Sequence, residues 1–110
     1  MQQQTSPAKV WFITGAARGI GLSLARQLLA RGDSVAATSR TLTSLRQAFG
    51  DDNARLLALE VDLVNEASVQ KAIDSTIAAF GRIDCVVNNA GYGQQGTIEA
   101  LTDSELRRNF

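Results

Sequence analysis

The chain has 110 residues, 45% hydrophobic and 20% charged, which fits one globular domain and excludes a disordered polymer. Lys plus Arg and Asp plus Glu both total 11, so net charge gives no case for nucleic-acid or membrane-surface binding, and no apolar run approaches a membrane span. With no histidine and only one cysteine, Cys85, these residues hold no Ser-His-Asp triad, Cys-His dyad, His-ligated metal site, zinc cluster or internal disulfide.

Residues 1–8 are polar and lack the basic start and apolar stretch of a secretory signal, so they are expected to form a frayed tail ahead of one domain over 9–110. The absent signal and the lone cysteine make the cytosol the expected compartment. Val10 to Thr14 is a short β-rich run that ends at Gly15, as a buried parallel strand would. From Gly19 to Arg31, Ile20, Leu24, Leu28 and Leu29 recur at helical spacing, and Gly32 supplies a stop. Val35 to Thr38 predicts a second strand, and Leu42, Leu45 and Phe49 one face of a second helix that stops at Gly50. Leu56 to Val61 predicts a third strand.

Asn65 is placed to cap the next helix, with Glu66 in its first turn. That helix carries Val69, Ile73, Ile77 and Phe80 and closes at Gly81. Ile83 to Val87 predicts a fourth strand, followed by a Gly/Gln-rich loop over 91–96 and a capping-box pattern, Thr102-Asp103-Ser104-Glu105, that opens a last helix. Strands and helices alternating with short connections imply an α/β fold, a doubly wound parallel sheet with helices on both faces. The fourth strand is then expected to leave one apolar edge unpaired, as in the front part of a larger domain. Such a half-sheet buries little apolar area against the entropy of ordering, so the isolated chain is expected to be aggregation-prone or partly folded.

Charge is uneven. Residues 1–50 carry six bases and one acid, Asp33, whereas residues 51–110 carry ten acids and five bases. Solvated helix faces account for such a split, as does an anionic ligand held by the first half.

The strongest local signal is Thr14-Gly15-Ala16-Ala17-Arg18-Gly19-Ile20-Gly21, between the first strand and the first helix. Glycines let backbone approach a ligand closely, and the free amides and positive dipole end of a helix suit a pyrophosphate. An ordinary tight turn is the plain alternative. No Gly-Lys-Ser/Thr follows, which excludes a P-loop, and Leu24 stands where a G-x-G-x-x-G fingerprint needs its third glycine.

The G-x-x-x-G-x-G spacing instead resembles the short-chain dehydrogenase/reductase family. Asp62, in Glu60-Val61-Asp62-Leu63 after the third strand, matches the family's adenine-contacting aspartate, and Asn88-Asn89-Ala90-Gly91 reproduces its N-N-A-G motif after the fourth. The intervals agree, and the resemblance spans about residues 9–110, the first half or less of the family fold. It implies a Rossmann-type fold and cofactor contacts from Gly15, Ala17, Arg18, Gly19, Ile20, Gly21, Asp62, Leu63, Asn89, Ala90 and Gly91.

In dinucleotide folds the end of the second strand reads the adenosine ribose: an acid there accepts from the 2′-hydroxyl, and an Arg receives a 2′-phosphate. Here the strand ends in Thr38-Ser39-Arg40, with no acid at or beside the reading position. Arg40 offers a planar fork of donors, and Arg18 resembles the basic residue in the glycine turn of many phosphate-selecting members. Two charge-assisted hydrogen bonds of about 1.5–3 kcal/mol each favour NADP over NAD by about a hundredfold or more, so NADP(H) is the expected cofactor, with Ser39 and Arg40 among its contacts.

Family members move a hydride between nicotinamide and a carbonyl or alcohol, with a Tyr acid/base and a Lys in Y-x-x-x-K and a Ser that orients substrate. Here Tyr92 has Gly96 four positions on, Lys9 and Lys71 follow no such Tyr, and Asn109 falls short of the family's relay Asn by about a turn. No catalytic residue is therefore assigned, and negligible turnover is expected from these residues alone. The resemblance implies an NADP(H)-dependent oxidoreductase of a small-molecule carbonyl/alcohol pair, with no nucleic-acid or membrane partner, and leaves homo-oligomerisation of the intact enzyme open. A non-catalytic nucleotide-binding or regulatory module is the alternative. A methyltransferase-like fold is disfavoured, because its ligand has no pyrophosphate for the glycine turn to hold.

Overall fold

The computed structural model describes residues 8–50 and 53–89 and the backbone of 100–101. Four parallel strands, β1 (Val10–Ile13), β2 (Ser34–Ser39), β3 (Leu56–Glu60) and β4 (Cys85–Val87), lie in the order β3-β2-β1-β4. The helices α1 (Gly19–Ala30), α2 (Leu42–Phe49) and α3 (Glu66–Phe80) connect them in turn. The doubly wound expectation is met: α1 and α2 pack on one face and α3 on the other.

Alternating residues along each strand feed two cores, as the two-residue pleat requires. Ile13, Val35, Ala37 and Val87 face Ala25, Leu28 and Leu45 of α1 and α2. Phe12, Ala36 and Val86 face Val69, Ala72 and Ile73 of α3. Phe12, Ile13, Val35, Val86 and Val87 are all but fully buried, which is why these strands read as unbroken apolar runs. Complete burial of one such side chain contributes about 1.5–3 kcal/mol.

Helix ends follow their local chemistry. The Asn65 side chain accepts from the amides of Ala67 (3.0 Å) and Ser68 (3.2 Å) at the start of α3. At its end Gly81, in the left-handed region at φ 87°, donates its amide to Ile77 O (2.7 Å). Thr41 caps α2, accepting from the Ser44 amide at 3.4 Å.

Two carboxylates buckle the start of β1 to the strands on either side. Buried Asp33 accepts from the Lys9 amide (3.1 Å), the Trp11 indole Nε1 (3.0 Å) and Arg31 Nη2 (3.0 Å). Asp84 accepts from the Val10 amide (2.7 Å) and Arg82 Nε (2.9 Å), while Arg82 Nη2 donates to Ala8 O (2.6 Å). Arg26 and Arg31 are exposed but not idle, since Arg26 Nη2 donates to Ala48 O (2.9 Å) and joins α1 to α2.

Two expectations about the fourth strand are corrected. The outer edge of β4 is paired: β5 (Ala100–Leu101) lies antiparallel to it, with Val86 opposite Leu101 and Val87 opposite Ala100. β4 also starts at Cys85 rather than Ile83, whose side chain is buried ahead of the strand. The loop over 91–96 and the helix expected after 102 lie outside the described residues. Among the described residues, no helix is long and apolar enough to cross a membrane.

Candidate cofactor site

From β1 the chain steps outward through β2 to β3 and then returns to pair β4 on the other side of β1. This reversal places a topological switch point between β1 and β4, and open α/β sheets receive ligands beyond the carboxyl ends of their strands at such points. The glycine turn leaves β1 there, and Asn88 and Asn89 leave β4 beside it.

Thr14 holds the two together. Its amide donates to Val87 O (3.0 Å), and its buried hydroxyl accepts from the Asn89 amide (2.9 Å) while lying 3.4 Å from Val87 O and 3.3 Å from Asn88 Oδ1. Asn89 Nδ2 donates to Gly15 O (3.1 Å). On the other flank the Ala16 amide donates to Thr38 O (2.9 Å), and the Thr38 hydroxyl donates to Ile13 O (3.1 Å). The turn is thus tethered to both strands that neighbour β1. Thr14 and Thr38 are positioning residues that sequence reasoning did not single out.

The glycines have separate reasons. Gly21 is buried in α1, and a Cβ there would collide with Gly15 O and come within 2.8 Å of Asn89 Nδ2. Gly19 takes φ 63°, and nothing lies within 4 Å of where its Cβ would be, which leaves the backbone open to an approaching group. Arg18, the N-cap of α1, makes no side-chain cap, and the first turn holds no acid. Among the described residues, the first amides of α1 therefore have no side-chain cap, unlike those of α2 and α3. Such orphan donors at a positive dipole end suit a phosphate, so the residues present fit a dinucleotide's pyrophosphate.

Around this turn Ala17 is half-buried, and Arg18 and Ile20 are exposed. Ser39 ends β2 half-buried, with Arg40 exposed just beyond. Neither Arg18 nor Arg40 has a side-chain hydrogen bond or ion pair among the described residues. Asp62 is exposed and already engaged, for its Oδ1 accepts from the Val64 amide (3.2 Å) and its own amide donates to Ser68 Oγ (3.0 Å). Leu63 packs against the α3-side core. Ala90, Gly91, Tyr92 and Asn109 lie outside the described residues.

No acid lies beside the reading position along the chain, but one faces it across the sheet. Register pairs Ser39 of β2 with Glu60 of β3. Cys85, the first residue of β4, is half-buried; burial pushes its thiol up, Lys9 opposes the shift, and Asp84 and Asp33 add to it.

A mainly parallel sheet with a glycine turn and a bare helix start at its switch point defines the Rossmann class of dinucleotide-binding folds. The chain matches the family described as short chain dehydrogenase over residues 9–110. It belongs to that family of oxidoreductases, whose Rossmann fold binds NAD(P). It is similar to an oxidoreductase of Botryotinia fuckeliana, 44% identical over 96 residues, covering 84% of this chain and 34% of that protein. A solved 3-ketoacyl-(acyl-carrier-protein) reductase from Brucella melitensis, complexed with NADH, superposes with a TM-score of 0.65 at 30% identity, covering 69% of this chain and 31% of the other. The C-domain of a bacterial malonyl-CoA reductase, solved with NADP, gives a TM-score of 0.63 at 36% identity, covering 69% of this chain and 13% of that one. The chain spans about a third of the length of the curated relatives it matches, 32–36% for three of them.

Proposed function

We propose that residues 9–110 are the cofactor-holding part of an NADP(H)-dependent oxidoreductase that acts on a small carbonyl/alcohol pair. One observation carries the cofactor choice: two exposed residues, Arg18 in the glycine turn and Arg40 just after β2, have no side-chain partner among the described residues. Unpartnered arginines beside a bare helix start favour a ligand with a phosphate at each place. Relatives have been solved with NADH and with NADP, and the reading rests on the residues at the β2 end.

In this reading the first amides of α1 and the backbone at Gly15, Ala17, Gly19 and Ile20 receive the pyrophosphate. Ser39 and Arg40 take the adenosine 2′-phosphate with Arg18. Asp62 and Leu63 border the adenine, and Asn89, Ala90 and Gly91 line the path toward the nicotinamide, which supplies the hydride when bound. Asn89 has a second task, since its side chain fixes the Gly15 carbonyl and thereby the turn. No Tyr in these 110 residues is followed four positions on by Lys, so the reading assigns them cofactor positioning and not proton transfer.

The test is Arg40→Asp in the intact protein, with NADP and NAD affinities measured by titration calorimetry. NADP affinity is expected to fall by about tenfold to a hundredfold while NAD changes by less than about threefold, the loss of one charge-assisted bond plus a new repulsion. Equal losses for both cofactors would overturn the assignment.

A further inference from the structure

We propose that Glu60 is a second reader of the adenosine ribose, a carboxylate that opposes a 2′-phosphate and so moderates the selectivity conferred by Arg40. The inference rests on the dinucleotide reading above. Its basis is the β2–β3 register, which sets Glu60 directly opposite Ser39, the residue before Arg40. Parallel neighbours lie about 4.8 Å apart, and paired side chains point to the same face. Val35 with Leu56, and Ala37 with Ala58, are such pairs on the face covered by α1 and α2. Two residues on, the pleat brings Ser39 and Glu60 to that same face, at the end of the sheet where Arg18 precedes α1.

Glu60 is exposed and has no side-chain hydrogen bond or ion pair among the described residues, so its charge is not already spent on a neighbour. Among the described residues, Arg18 precedes α1 and Arg40 follows β2 at this end of the sheet. Asp62, two positions beyond Glu60, has one carboxylate oxygen bound by the Val64 amide. A phosphate dianion received at the end of β2, where Ser39 stands opposite Glu60, is repelled by the Glu60 carboxylate. A ribose 2′-hydroxyl has no such cost and can donate to a carboxylate. This end of the sheet therefore combines a phosphate receiver on β2 with a hydroxyl acceptor on β3, and the ratio of the two cofactors' affinities is set by both.

The experiment titrates adenosine 2′,5′-bisphosphate and 5′-AMP into the protein, Glu60→Gln and Arg40→Asp by calorimetry, at low salt and at about 0.5 M salt. Glu60→Gln is expected to tighten the bisphosphate by about threefold to tenfold at low salt, to leave 5′-AMP unchanged or slightly weaker, and to lose most of its effect at high salt. A Glu60→Gln protein that treats both ligands as the parent does, or shifts both equally, overturns the inference. If Arg40→Asp still weakens the bisphosphate selectively in that case, the NADP reading survives alone. If Arg40→Asp weakens both ligands alike, or neither ligand binds, the two fall together. An unchanged melting temperature for the exposed Glu60→Gln substitution separates a binding effect from a folding one.

Discussion

At the scale of single residues, the site is governed by how closely backbone can approach backbone. Gly21 shows this most directly, because the only space for a Cβ is held by the Gly15 carbonyl and the Asn89 amide. Gly21→Ala is expected to destabilise the fold by about 1–3 kcal/mol through overpacking against atoms that cannot swing aside, read from urea denaturation midpoints. It should also weaken dinucleotide binding, since the displaced carbonyl belongs to the turn itself. An alanine variant as stable as the parent would show that the turn is not wedged between α1 and β4. The glycine pattern was legible in the sequence because its spacing is local. The Thr14 hydroxyl was not, because the Asn89 amide it accepts from is 75 positions away. Glu60 was illegible beside Arg40 for the same reason, since only strand register brings it opposite Ser39.

Among the elements, helices were easier to read than strands. The second helix runs over Leu42–Phe49 as its apolar spacing implies, and the third opens at the Asn65 cap and stops at Gly81. Caps act through bonds to residues two or three positions away, so composition reveals them. Asn65→Ala removes the acceptor of two first-turn amides and is expected to cost about 1 kcal/mol of stability, measurable as a lower urea midpoint with an unchanged slope. A change within error would mean that water replaces the cap without loss. Strand ends were less legible. Thr14 falls outside β1 because the turn begins at it, and Ile83 is buried ahead of β4, so β-propensity at the first and hydrophobicity at the second extend the strands too far. The partner of β4's outer edge was missed altogether, since Ala100–Leu101 carries no alternation long enough to mark a strand.

For the molecule as a whole, Asp84, which clamps β1 at the end opposite the site, gives stability an acid dependence. Burial opposes ionisation of Asp84, but the Arg82 hydrogen bond, the Val10 amide and the charges of Arg82 and Lys9 outweigh it and hold its carboxyl below the ordinary 3.8. A carboxyl more acidic when folded than unfolded stabilises the fold fully above its unfolded value and loses that contribution as pH falls through the folded one. The melting temperature is therefore expected to drop on acidification below about pH 4, and Asp84→Asn should flatten that part of the profile while lowering stability at neutral pH. A variant whose acid profile matches the parent's would remove Asp84 from the account.

What the sequence determined by itself was everything that depends on near neighbours or on a fixed interval: the alternation of strands and helices, the glycine turn, the caps, and the motifs at Asp62 and Asn88–Asn89 that mark the family. What only the tertiary structure decided was which distant groups meet. It tied the turn to β2 and β4 through Thr38 and Thr14, closed β4's edge with Ala100–Leu101, buried Asp33 among Lys9, Trp11 and Arg31, and set an acid across from the residue before Arg40. The reason is physical: a spacing rule reports the conformation of one segment, whereas register and packing are properties of pairs of segments.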